Sequence, residues 1–280
     1  MNSKYSLKKF YHNGMAYPFE LSNKFKNLEN EYFSFQRKAK TKLGHIVTLK
    51  PNLLSTFFDK LARDESILKK VKQIIGDDIY IWSSAFFPKA PGEGMIVSYH
   101  QDNPYWQLTS EKVVTAWIAM TISDKNSGAL EIVPKSSNLG VINDLDVKDA
   151  RKSYLKGQKT TKPNDMLSYN QNLESFIKKN KPEVINLRPG QFSLHHVNAV
   201  HGSGINKSSA YRIGYAVRYI SSDTQHLKEK RDSAIHVSGK KNDYFENELR
   251  PISDFDRNAI KEYNKAMKTA GAFGNKKYAS

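Results

Sequence analysis

The sequence predicts a mainly β chain with flanking helices, arranged as a double-stranded β-helix of the jelly-roll, cupin-like kind. Two observations carry this reading. Runs rich in β-branched and aromatic residues, separated by Gly, Pro, Asn and Asp turns, dominate from about residue 79 to 220, while helical apolar stripes lie on either side. The 280 residues, 39% of them hydrophobic, can bury one large core. No repeat or linker divides them, so residues 1–280 are expected to form a single domain.

Residues 1 to about 50 are polar but carry Tyr5, Phe10, Tyr11, Tyr17, Phe19, Tyr32, Phe33 and Phe35, which predicts a segment packed on the core. Leu53, Leu54, Phe57, Phe58 and Leu61 form one helical stripe. Ile67, Leu68, Val71, Ile74 and Ile75 form a second, with Gly76 placed to end it. Strands are expected over 79–88, 94–100, 112–122, 129–133, 184–187, 191–197 and 210–220. The connection from 139 to 182 is polar, lysine-rich and nearly aperiodic, the kind of long loop that can cover a barrel mouth. Beyond Ser253, the spacing of Ile260, Tyr263, Ala266 and Met267 fits one outer amphipathic helix.

The chemistry concentrates in His100-x-Asp102, His201 and Arg212. Residues two apart on a strand point to the same face, about 7 Å apart along the chain, so His100 and Asp102 can converge on one ion. Two imidazoles and a carboxylate occupy one face of an octahedral metal and leave the opposite positions open, as in non-haem Fe(II) oxygenases. A 2-oxo acid and O2 can take the open positions. A guanidinium such as Arg212 is then suited to the far carboxylate of 2-oxoglutarate, because its planar fork binds a carboxylate with two parallel hydrogen bonds. Period two puts Arg212 on one face with Ala210, Gly214, Ala216 and Arg218, and Tyr211, Ile213, Tyr215, Val217 and Tyr219 on the other. The small neighbours leave room for a ligand, although pairing with a protein carboxylate across the sheet fits that strand equally well. His195 and His196 point to opposite faces, so at most one faces inward, where it would support a ligand by a hydrogen bond.

Residues 82–219 resemble the phytanoyl-CoA dioxygenase family of Fe(II)/2-oxoglutarate-dependent oxygenases. The resemblance rests on Tyr99-His-Gln-Asp-Asn-Pro-Tyr-Trp106, on Val113-Val-Thr-Ala-Trp-Ile-Ala-Met120, on Ser127-Gly-Ala-Leu-Glu-Ile-Val-Pro-Lys-Ser136, and on Pro189 through Gly204 with its His-Gly-Ser-Gly ending. It implies a hydroxylase with His100, Asp102 and His201 as iron ligands and Arg212 and Ser203 as holders of 2-oxoglutarate, O2 being the second cosubstrate. Trp117 matches the family's tryptophan near the cosubstrate, and a core indole is the alternative. Tyr105 and Trp106 could wall the substrate or belong to the core. Related halogenases carry a small residue at the carboxylate position, so Asp102 favours hydroxylation over halogenation. The remaining alternatives are a cupin-like metal-binding protein without oxygenase activity and a nucleic-acid demethylase. The pair Arg212 and Arg218 resembles that of the demethylases, but the surrounding motifs do not match them.

Composition narrows the setting. Cysteine is absent, which removes thiolate metal sites and disulfides. Neither a bilayer-length apolar run nor a signal peptide is expected, and a cytoplasmic location is the default. The formal net charge of +16 is mostly dispersed lysine. Such a pattern is usually a solvated surface, and the alternative is attraction of an anionic small-molecule, acyl-CoA or carrier-linked substrate. Nucleic acid is a weaker partner, since no aromatic-basic strand suited to stacking bases is visible.

Overall fold

The computed structural model describes residues 3–22, 25–142, 144–158, 161–227 and 231–269. In chain order its strands are β1 (Met15–Glu20), β2 (Ile79–Lys89), β3 (Val97–His100), β4 (Val113–Ala119), β5 (Leu130–Ile132), β6 (Glu183–Val184), β7 (Gln191–His196), β8 (His201–Ser203), β9 (Arg212–Ser221), β10 (Asp232–Ser238) and β11 (Phe245–Asn247). The helices are α1 (Ser3–Asn13), α2 (Leu28–Leu43), α3 (Thr56–Ala62), α4 (Glu65–Ile75), α5 (Asn103–Trp106), α6 (Asp144–Leu155), α7 (Glu174–Lys179) and α8 (Arg257–Thr269).

Among the described residues the strands form two sheets. The larger has the order β1-β7-β4-β9-β2-β10-β11 and the smaller β3-β8-β5-β6. Every pairing is antiparallel except β10 with β11. This double-sheeted, helix-flanked arrangement is the predicted fold class.

Strand alternation sorts side chains between two compartments. Val114, Ala116 and Ile118 of β4 and Ile213, Tyr215, Val217 and Tyr219 of β9 join the main core, which also takes Leu61 of α3, Ile67 and Val71 of α4, Phe35 of α2 and Tyr263 of α8. The tyrosines also anchor a helix: Tyr215 Oη donates to the Phe58 carbonyl at 3.3 Å and Tyr219 Oη to that of Ala62 at 2.7 Å. The intervening residues, Thr115 and Trp117 of β4 with Arg212, Ala216 and Arg218 of β9, line a cavity on the other face.

Gly214 sits between these roles. A Cβ added there would meet Cζ2 of Trp117 at 2.0 Å, so the small residue lets the indole lie flat against β9. Gly214→Ala is expected to cost about 1–3 kcal/mol by overpacking. Urea unfolding measures this, and an unchanged midpoint would mean that the indole is not held there.

Several elements depart from the sequence reading. Helix α2 and strand β1 lie in the amino-terminal region that predicted only packing, and β10 and β11 were not expected. The 139–182 connection carries α6 and α7, and its residues Met166, Leu167 and Ser168 reach the cavity wall. Its few apolar residues account for the weak signal. The second stripe emerges as α4, closed by Gly76 at φ 92° and opened by Asp64, whose side chain accepts from the Ser66 amide. Among the described residues, no helix is long and apolar enough to cross a membrane.

Candidate active site

Strands β3 and β8 pair so that His100 lies opposite His201, and Asp102 sits where the chain turns into α5. Ligand atoms of His100, Asp102 and His201 all lie within 4.8 Å of one another, and all three side chains are buried. Backbone carbonyls fix both rings: the Nδ1 of His100 is 2.9 Å from the Ser98 carbonyl, and that of His201 is 2.9 Å from the Ala199 carbonyl. A carbonyl can only accept, so each Nδ1 carries its hydrogen and each ring turns its Nε2 toward the cluster. Those Nε2 atoms lie 3.5 Å and 3.9 Å from the same Asp102 oxygen.

The electrostatics suit a cation. Burial and the adjacent His100 push the His201 pKa down to about 4, keeping it neutral. Burial opposes ionisation of Asp102, yet His201, His100 and Arg218 together hold it well below the usual carboxylate range. A carboxylate and two imidazoles converging in a buried place form a metal-binding donor set.

The cavity beside this cluster measures about 280 Å³. Its wall includes His100, Asp102, Tyr105, Trp106, Trp117, His195, His201, Ser203, Arg212 and Arg218, so the expected metal, cosubstrate and substrate residues all line one space. Arg212 is fully buried; its guanidinium donates to the Phe87 carbonyl at 3.0 Å and to Ser203 Oγ at 3.5 Å. Its central carbon lies 5.6 Å from the Trp117 ring centroid. Burial lowers its pKa to about 9, which leaves it a cation at neutral pH. Trp117 also packs with Met15, Ala119, Leu130 and Ala216, so the core and cavity readings of this indole hold together. Tyr105 donates its hydroxyl to the Tyr169 carbonyl, while Trp106 packs edge-on against Trp82 at 5.4 Å.

Of the two adjacent histidines His195 is the inward one, its ring 4.8 Å from that of His201. Its Nδ1 has no hydrogen-bond partner among the described residues, so that atom does not make the supporting bond expected of it. His196 points away, with Nε2 3.6 Å from Glu111.

One residue escaped the sequence reading. Lys89, opposite Arg212 in the β2–β9 register, is buried and donates to Ser203 Oγ at 2.6 Å, to the Ser203 carbonyl at 3.2 Å and to the Gly204 carbonyl. Burial and Arg212 bring its pKa down to about 7. It lies just past the strand predicted over 79–88, directly after Pro88, with nothing to separate it from the other lysines.

The sequence model of one family, described as phytanoyl-CoA dioxygenase, matches residues 20–214. The chain belongs to that family. Among curated relatives, this family member is 27% identical over 194 residues to a probable alpha-ketoglutarate-dependent hypophosphite dioxygenase of Stutzerimonas stutzeri, covering 67% of this chain and 63% of the relative. It is 31% identical over 160 residues to an ectoine dioxygenase of Streptomyces avermitilis, covering 55% and 52%. Against the human peroxisomal phytanoyl-CoA dioxygenase it is 28% identical over 176 residues, covering 61% and 48%. The matches thus span about half to three fifths of the relatives' own length. Among solved structures, the apo non-heme monooxygenase ThoJ superposes with a TM-score of 0.76 at 22% identity over 94% of each chain. The non-heme alpha ketoglutarate dependent epimerase SnoN gives 0.58 at 15% identity, over 90% of this chain and 96% of the other. These two likenesses show the fold.

Proposed function

We propose that this protein is an Fe(II)- and 2-oxoglutarate-dependent dioxygenase that hydroxylates a small or carrier-linked substrate, and that it acts in the cytoplasm. The observation that carries this reading is the meeting, in one buried cavity, of the His100–Asp102–His201 cluster with the Arg212–Ser203 pair. A metal-binding cupin without oxygenase activity would have no use for a buried arginine in the same cavity.

His100, Asp102 and His201 would hold the iron, which supplies the redox chemistry toward O2 and 2-oxoglutarate when bound. Arg212 would receive the distal carboxylate of the cosubstrate in a charge-assisted pair. Ser203 Oγ already accepts from Lys89 and Arg212, so its own hydrogen is available to the same carboxylate. Trp117 would pack along the cosubstrate chain, and Tyr105 and Trp106 would wall the reacting end and exclude water. Asp102 fills the position that a halogenase leaves open, and this favours hydroxylation. The relatives' named substrates include hypophosphite, ectoine and a CoA ester, so the substrate class has to be argued from the cavity itself.

Anaerobic addition of Fe(II) and 2-oxoglutarate is expected to give a weak visible charge-transfer band, and admission of O2 to release succinate. With iron fully loaded and no band, the cosubstrate assignment fails. Arg212→Met should weaken 2-oxoglutarate binding by about 1.5–3 kcal/mol, the worth of a hydrogen bond to a charged group, or roughly ten- to 150-fold. Equal affinity in the variant and the parent would remove Arg212 as the anchor.

A further inference from the structure

The cavity holds a second polar feature that the reading above does not use. Thr115 of β4 is in register with His195 of β7 on one side and with Arg218 of β9 on the other. Residues directly opposite each other share a face with Cβ atoms about 5 Å apart, so these three side chains form one row across the sheet. All three are buried and all three line the cavity.

Two members of the row carry polar atoms awaiting a partner. Thr115 Oγ1 and His195 Nδ1 have no hydrogen bond among the described residues. Leaving a buried polar group unmatched is costly, which points to a partner supplied from the cavity. The third member is a cation held in place. The Arg218 guanidinium carbon lies 5.6 Å from the Phe87 ring centroid and 5.4 Å from that of Trp106, and both rings face the same cavity.

The charge balance decides what the partner is. Asp102, Arg212 and Arg218 are the ionic side chains in the cavity wall. In the proposed holoenzyme a divalent metal and a dicarboxylate cancel, and Asp102 offsets one of the two arginines. The cavity then keeps one positive charge in excess, in a place where burial makes such an excess expensive.

We infer that Arg218, Thr115 and His195 form a recess for the anionic head of the primary substrate, a small compound bearing a carboxylate or a phosphorus oxyanion; this rests on the function proposed above. Arg218 supplies the charge and Thr115 a hydroxyl donor, while His195 completes the polar wall beside the metal cluster. A cavity of about 280 Å³ lies at the lower edge of the usual ligand-pocket range, so the substrate that enters it is compact.

The test uses the protein loaded anaerobically with Fe(II) and 2-oxoglutarate and titrated with methylphosphonate or propionate, with neutral propionamide as control. Perturbation of the charge-transfer band reports binding, and the two anions separate tetrahedral from planar heads. At least one anion should bind saturably and propionamide should not. Arg218→Met should weaken that binding at least about tenfold, and the near-isosteric Thr115→Val several-fold, the latter with 2-oxoglutarate affinity and iron content unchanged. If Arg218→Met does not fold, Thr115→Val decides. Unaltered anion binding in the variants overturns the inference, and so does the absence of binding by both anions. Loss of iron in Arg218→Met without loss of anion binding would also overturn it, assigning Arg218 to Asp102 instead. Absence of the band in the parent protein overturns the dioxygenase reading, and this inference with it; an intact band with no anion response overturns this inference alone.

Discussion

Asp102→Ala is expected to strip the metal site, lowering iron retention more than about 100-fold, beyond the losses that follow when only a supporting hydrogen bond to a ligand is removed. Asp102 is the one carboxylate in the cavity wall, and the two cations sharing that wall are arginines. Without it, a divalent ion would face two imidazoles and two guanidiniums in a buried space, and the repulsion would have no counterweight. Iron content after desalting, measured by elemental analysis, is the readout. Stoichiometric iron in the variant would mean that the cluster is not the metal site.

The largest expected effect on stability lies elsewhere. Lys50 and Glu248 form an ion pair whose side chains are each 4% exposed; Lys50 Nζ also reaches the Ser233 carbonyl at 3.3 Å, and Ser233 Oγ donates to the same Glu248 oxygen at 2.7 Å. Lys50→Met leaves a buried carboxyl without its cation, a change that costs about 3–5 kcal/mol. Adding Glu248→Gln should recover part of the loss, because the charge to be buried is then gone. Burial holds the Glu248 carboxyl above its ordinary pKa despite Lys50. Without Lys50 that folded pKa rises further and protonation below it removes the buried charge, so the deficit of Lys50→Met should shrink as pH falls through the variant's folded pKa. Urea unfolding at two pH values tests both points, and a loss under about 1 kcal/mol would show the pair to be dispensable.

Most of the site was legible because it is written in local patterns. The period of β9 is a property of a strand and predicts which of its side chains share a face, whereas His100 and Asp102 meet although β3 ends at His100 and Asp102 already turns into α5. The predicted strand over 210–220 is observed as Arg212–Ser221, with its two faces sorted as expected. What stayed hidden is set by pairing between distant segments. Nothing near Thr115 in the sequence announces that it lies between His195 and Arg218, and Lys89 gains its meaning only from the strand opposite. The amino-terminal helix α2 was missed for a related reason: its aromatics are buried by α3 and β2, as in the contact of Phe35 with Phe58 at 5.3 Å, not by a strong periodicity of its own.

Strand β9 serves two compartments at once, tyrosines bracing helix α3 on one face and guanidiniums serving the cavity on the other. Because side chains alternate, inserting or deleting a single residue would exchange the two faces, burying arginines among the helices and filling the cavity with phenol rings. Scaffold and chemistry would fail together. Descendants of this chain can therefore retune that strand by substitution, but changes of its length are open only in steps of two, which keeps Arg212 and Arg218 on one face even where their neighbours drift.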